Sequence, residues 1–454
     1  MGSIPTPGMN SKSEDLTFDR LWSWITLALV ALALAVLFFV VPHAVTGDGA
    51  VRYFKIDALL REGTLRREPY SFVGPLFAAP FWMLGGARLW WVARFNVLLL
   101  AFGGVALWTL LRSVTTFDER GRAVLLLVAA GMAPNATLDF YGDLFSAVMV
   151  ATGLLLVTVR GQRLGWIPVV LGVVNTPATA VGLAFVAMHR AWRARRVDGI
   201  VAAAVAAGLI LLENTIVRGG PLITGYAGNH GATTAMPFSG MPGFSYPLLP
   251  GVLSLLFSFG KGVFFFAPGL LLIGQARRQR PELTPFFDGS VAFLAGLILV
   301  YARWWAWYGG WVWGPRFLLY AAFPSALALA IVLGAAVTPL RSAAAVALTA
   351  WTVWVGISGA AFNLSGLDDC LANGYALEHL CWYVPEYSPL VRPLVLDMPR
   401  LVGWQQVWIA LSALALIALI ASSPALEQVA GASVRAIRGM ARARGTDGRE
   451  GRPR

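Results

Sequence analysis

Asp48 stands between Gly47 and Gly49, directly behind the first long apolar stretch of the chain. Glycines on both sides let the backbone turn tightly and let a ligand come close. A carboxylate in such a place can take a proton from a hydroxyl nucleophile. The cations expected on the same side are Arg52, Lys261, Arg303 and Arg316. Such groups hold a phosphate, and guanidinium does so bidentately without losing its charge. Asp143 and Tyr141, with Trp307, Tyr308 and Trp313, are candidates to contact a sugar, because aromatic faces cover apolar C–H surfaces. Each residue also has a plainer reading. Asp48 can be a solvated helix-end turn, and Asp139 and Asp143 can be helix caps. Arg303 and Arg316 can snorkel to headgroups, Lys261 can contact a lipid phosphate, and the tryptophans can form an interfacial belt. No two of the 4 histidines have a metal-ligand spacing, so no metal or other cofactor is assigned, and a divalent metal is left open. No Ser-His-Asp order, phosphate-binding P-loop or dinucleotide fingerprint occurs.

Composition says what must position these residues. Hydrophobic residues make up 57% of the 454 and charged residues 13%. Soluble domains run near about 45–50% apolar and about 25% charged. The chain is expected to be an all-α polytopic membrane bundle. Its net charge of +12 is read through the side of the membrane the cations face, so nucleic acid is not an expected partner. Membrane lipids are.

A polar cytoplasmic tail is expected over 1–20, a transmembrane domain over 21–422 and a basic cytoplasmic tail over 423–454. The hydropathy pattern gives about ten full spans, each near the length that crosses a hydrocarbon core. They fall at 21–41, 90–111, 123–134, 144–159, 199–217, 257–273, 286–302, 317–337, 342–361 and 401–422. Residues 53–65 pattern as an amphipathic surface helix. Pro75 and Pro80 break 70–86, which is expected to be a hairpin that stays outside. Basic residues at both ends of 164–189, with Asn175-Thr176-Pro177 in the middle, predict a broken hairpin entering from the inside. The outer loops are then 42–89, 135–143, 218–256, 303–316 and 362–400. Cys370 and Cys381, the 2 cysteines, both fall on the last of these and are expected to form a disulfide. Both termini are expected in the cytoplasm.

Four features together carry a family resemblance. They are Gly47-Asp48-Gly49 after the first span, an outer acid after a proline (Pro134 to Asp143), the Asn-Thr-Pro break, and the pair Gly260-Lys261-Gly262-Val263-Phe264-Phe265-Phe266-Ala267-Pro268 and Trp307-Tyr308-Gly309-Gly310-Trp311-Val312-Trp313-Gly314-Pro315-Arg316-Phe317. The chain resembles the GT-C superfamily of integral membrane glycosyltransferases that use polyprenyl-phosphate sugars. Within it, the likeness is to the bacterial set related to protein mannosyltransferases and the aminoarabinose transferase. The resemblance implies a GT-C-like fold and inverting transfer from a polyprenyl-phosphate sugar to a lipid or glycan hydroxyl. It places that reaction on the periplasmic or outer face of the plasma membrane and implies that Asp48 is the catalytic base. Family members often carry a second acid beside the first; here that position is Gly49. A transporter or flippase of an anionic lipid-linked substrate is the competing expectation.

Overall fold

A computed structural model describes residues 10–86, 88–226, 233–236, 238–335, 338–363, 367–395, 400–425 and 428–429. His230 and nearly all of the C-terminal tail lie outside them. The described residues are helical and contain no strand beyond one isolated bridge, Ala44 with Asp139.

Seven helices are long and apolar enough to cross a membrane: Leu21–Phe39, Leu89–Leu110, Asp198–Arg218, Pro281–Arg303, Arg316–Leu333, Pro339–Ala361 and Gly403–Ala421. These correspond to seven of the spans read from hydropathy. The other three are shorter. Of residues 123–134, the first seven lie on helix Phe117–Ala129, which starts earlier because Thr116 and Glu119 form a capping box. Residues 144–159 form helix Asp143–Thr158. The segment 257–273 is divided into helix Val263–Phe266, a 3-10 turn Pro268–Leu272 and helix Ile273–Gln279. Pro268 cannot continue the first of these. Arg316–Leu333 is the central span, almost wholly enclosed by other helices, while Leu21–Phe39 and Asp198–Arg218 expose most of their apolar surface. The first helix begins at Asn10, inside the segment read as a polar tail.

The 70–86 stretch differs from its expectation. It forms one helix, Val73–Leu84, with Pro75 in the first turn and Pro80 inside. A proline in the first turn removes an N–H that would have no helical partner anyway. The helix packs against helices Gly47–Glu62 and Trp166–Asn175.

The 164–189 stretch is a broken hairpin. Helix Trp166–Asn175 stops at Thr176, a 3-10 turn follows over Pro177–Thr179, and helix Ala180–Ala194 returns. Asp198 ties the two ends together: it accepts from Trp166 Nε1 at 3.1 Å and from Arg190 Nη2 at 3.0 Å. At the tip, Asn175 donates to the Gly142 carbonyl (2.9 Å) and to Ser146 Oγ (3.0 Å), and accepts from the Gly74 N–H (3.0 Å). The tip thus abuts the start of helix Asp143–Thr158, while the open ends lie near that helix's far end.

Candidate active site

Two acidic helix starts face one arginine. Asp48 lies in the first turn of helix Gly47–Glu62 and Asp143 opens helix Asp143–Thr158. Arg316 begins the central span, behind Gly309, Gly310 and Gly314, all in the left-handed region. Its Nη1 donates to Asp48 Oδ2 at 2.6 Å and lies 3.9 Å from Asp143 Oδ2. The guanidinium carbon is 5.3 Å from the Tyr141 ring centroid.

The loop before Asp48 is locked from one side. Asp139 accepts from the Thr46 N–H and hydroxyl and from the Phe140 N–H at 2.6 Å. A Cβ on Gly49 would lie 2.3 Å from Asp139 Oδ1. The space at residue 49 is thus filled by a carboxylate from another loop. Asn96, inside an apolar span, donates to the carbonyls of Ala136, Asp139 and Tyr141 and holds this second loop in place.

Arg52 is one helical turn beyond Asp48 and is buried. Its guanidinium carbon stacks 4.7 Å above the Tyr70 ring, in space that only a glycine at 142 leaves open. Among the described residues its Nε and Nη1 have no hydrogen-bond partner, nor does Arg316 Nε. Buried guanidinium donors are ordinarily satisfied, so the site holds cationic hydrogen-bonding capacity in reserve. Two small voids adjoin Arg316 and Asp143. One, of ≈ 20 Å³, is lined by Ser146, Thr176 and Tyr301, and one, of ≈ 30 Å³, by Asn135, Tyr141 and Trp313. Each has room for a water or two.

Tyr70 donates its hydroxyl to Asp48. Its backbone is clamped: Arg218 donates to the carbonyls of Glu68 (3.0 Å), Pro69 (2.8 Å) and Tyr70 (3.1 Å), and Lys55 also donates to the Tyr70 carbonyl. Glu213 accepts from Ser71 Oγ (2.6 Å) and the Phe72 N–H (3.0 Å). The sequence analysis assigns no site role to Arg218 or Glu213. The signal was there, since both are charged residues at the end of an apolar helix.

Burial alone would raise the Asp48 carboxyl. The Arg316 charge, hydrogen bonds from Tyr70 and Arg316, and the Arg52 charge outweigh it, so Asp48 ionises below the usual carboxylate range. Asp139 goes the other way, raised by burial against the hydrogen bonds from Thr46 and Phe140. Burial, with the Asp139 charge next, pushes the Tyr141 hydroxyl up to about 12. Among the described residues no three His, Cys, Asp or Glu side chains gather to hold a metal.

Several candidates have other employment. Lys261 is fully buried and donates to the carbonyls of Gly310 (3.2 Å), Val312 and Gly314 (3.0 Å), so all three of its hydrogens are engaged inside the protein. It pins the loop that delivers Arg316. Arg303 is exposed and donates to the Phe244 carbonyl at 3.0 Å. Trp307, Tyr308 and Trp313 are packed rather than presented: Tyr308 stacks on Trp382 at 4.9 Å, and Trp313 donates to Ser358 Oγ at 3.1 Å. Cys370 and Cys381 are bonded to each other. Their loop reaches the 303–316 loop through Glu378, which accepts from Trp311 Nε1 at 3.3 Å.

Backbone comparison decides the fold. The architecture is similar to that of ArnT. Two crystal structures of ArnT from Cupriavidus metallidurans superpose on this chain, one bound to undecaprenyl phosphate and one in the apo state. Each has a TM-score of 0.51 and covers 89% of this chain and 77% of ArnT, at 15% and 14% identity. The chain therefore has a GT-C-like helical membrane fold. No protein-family profile matches the sequence, and no curated protein sequence does either.

Proposed function

We propose that the protein is a membrane glycosyltransferase. It moves a sugar from a polyprenyl-phosphate donor to a lipid or glycan hydroxyl on the outer face of the membrane, with inversion. The observation that carries this reading is the Asp48 carboxylate paired with Arg316, with Arg52 buried one turn away and two of its nitrogens without a hydrogen-bond partner among the described residues. The ArnT fold adds support, since one of its structures holds a polyprenyl phosphate.

The acceptor hydroxyl attacks the anomeric carbon from the face opposite the lipid phosphate. The bond from that carbon to the phosphate oxygen breaks, its electron pair leaves with the phosphate, and the hydroxyl proton passes to Asp48. Arg52 and Arg316 meet the charge that grows on the leaving phosphate. Arg316 also couples the two ends of the reaction. While it pairs with Asp48 it lowers that carboxylate's basicity. A donor phosphate that draws Arg316 away restores the basicity at the moment a base is needed. A carboxylate remains a weak base, so proton transfer comes late, when the sugar is already cation-like. Asp143, the second anion on Arg316, holds the guanidinium near the site when Asp48 lets go.

The test is transfer of radiolabelled sugar from polyprenyl-phosphate donors by purified protein, wild type against Asp48→Asn. Label appearing in a lipid or glycan, and lost in the variant, supports the reading. Donor bound by wild type but never consumed with any acceptor extract favours a transporter.

A further inference from the structure

We propose that a groove on the face opposite Asp48 binds one anionic phospholipid of the leaflet on that side, with its phosphate at Arg163, Arg195 and Arg196. The groove has a volume of ≈ 1050 Å³ and lies between helices Trp166–Asn175 and Asp198–Glu213. Its walls are Ile167, Val170, Leu171, Val201, Val205 and Leu209.

Its position follows from the broken hairpin. Asn175 touches Gly142 and Ser146 at the acid cluster, and Trp166 is at the other end of the same helix. The mouth, near Trp166 and Asp198, is therefore on the far face. Ile167, Val201 and Val205 are exposed along the groove. From Val201 to Leu209 the wall rises about 12 Å at 1.5 Å per residue, close to the roughly 15 Å of one leaflet's hydrocarbon. That depth suits an acyl chain from one leaflet and is too short for a long isoprenoid.

Charge selects the headgroup. Arg190 is paired with Asp198 at 3.0 Å, and Arg160 is held by Ser113 Oγ at 3.0 Å and the Thr109 carbonyl at 2.9 Å. Arg163, Arg195 and Arg196 line the mouth, and among the described residues none of the three side chains makes such a contact. Asp198 is the one acid among the described residues of the lining, and Arg190 already occupies it. A zwitterionic headgroup would bring a cation of its own against three guanidiniums. A phosphodiester with a neutral alcohol would not. Snorkelling explains where an arginine head sits but does not supply an apolar groove beneath it.

The experiment uses the full chain in detergent, titrated with phosphatidylglycerol or phosphatidylcholine and followed by native mass spectrometry, with thermal melting as the folding check. Wild type should retain one phosphatidylglycerol and no defined phosphatidylcholine. The Arg163→Ala/Arg195→Ala/Arg196→Ala variant should bind on the order of 100-fold more weakly at low salt, from about one kcal/mol per surface cation. Val201→Trp, which fills the groove without changing charge, should also lose the lipid. Arg112→Ala/Arg278→Ala/Arg341→Ala, equal in charge, should keep it. Equal retention of the two lipids by wild type, or phosphatidylglycerol still bound by both groove variants, would overturn the proposal. This inference stands apart from the transferase reading and survives if Asp48→Asn retains activity.

Discussion

Gly142→Ala probes whether Arg52 holds the donor phosphate. Gly142 has φ −82° and ψ −7°, ordinary right-handed geometry, so an alanine there strains no backbone. The new methyl would lie 2.5 Å from the Arg52 guanidinium carbon and 2.7 Å from both terminal nitrogens. Carbon contacts are comfortable at about 3.5–4.0 Å, so the guanidinium must retreat roughly 1 Å from its seat on Tyr70. The end of a flexible side chain can do this without unfolding the helix. Gly→Ala also stabilises by about 0.4–1 kcal/mol through the unfolded chain, so the melting temperature should barely fall. Donor affinity should fall more. Displacing a charge-assisted contact costs about 1.5–3 kcal/mol, roughly 10- to 150-fold in Kd. The assay is equilibrium binding of a polyprenyl phosphate in detergent to wild type, Gly142→Ala, Arg52→Ala and the double variant. With Arg52 gone the methyl has nothing to displace, so the double variant should match Arg52→Ala alone. Equal weakening by Gly142→Ala in both backgrounds, or none in either, would refute the assignment.

Other substitutions separate scaffolding from chemistry. Lys261→Met leaves three loop carbonyls without their shared donor and should destabilise the fold by about 3 kcal/mol, read as a lower melting temperature even without donor. Asn175→Ala removes contacts to Gly74, Gly142 and Ser146 and should cost about 2–4 kcal/mol in the same measurement. Asp48 has a depressed folded-state value, so its ion pair stabilises fully above the unfolded value near about 4 and is lost as pH falls below that. A melting-temperature profile from pH 6 to about 3 should therefore drop less for Asp48→Asn than for wild type. Reducing the Cys370–Cys381 bond, 11 residues apart, should lower stability by about 3 kcal/mol on loop entropy, checked by melting with and without a reductant.

Much of the architecture was legible because membrane burial writes itself into hydropathy and into the placement of arginines. The hairpin tip at Asn175 could be read from a proline flanked by basic ends. Asp48 could be read as a candidate from its flanking glycines behind the first span, and Arg316 as a cation on the same side of the membrane. Lys261 shows what local sequence does not record. Its flanking glycines read as room for a ligand, but that room is taken by the protein's own backbone: a Cβ on Gly260 would meet the Cys381 carbonyl at 2.0 Å, and one on Gly262 the Ser258 carbonyl at 2.5 Å. The same holds for the tryptophans, because an aromatic packed under a loop and one facing a substrate have the same local sequence. Arg218 clamps Tyr70 from 148 residues away, and no local pattern records such a contact.

The most direct measurement is the single-turnover transfer of labelled sugar by Asp48→Asn, with donor binding measured on the same preparation. The account predicts transfer lost by several orders of magnitude while a polyprenyl phosphate still binds, because asparagine keeps the shape of the site and removes the base. Turnover within a few-fold of wild type would contradict the role given to Asp48.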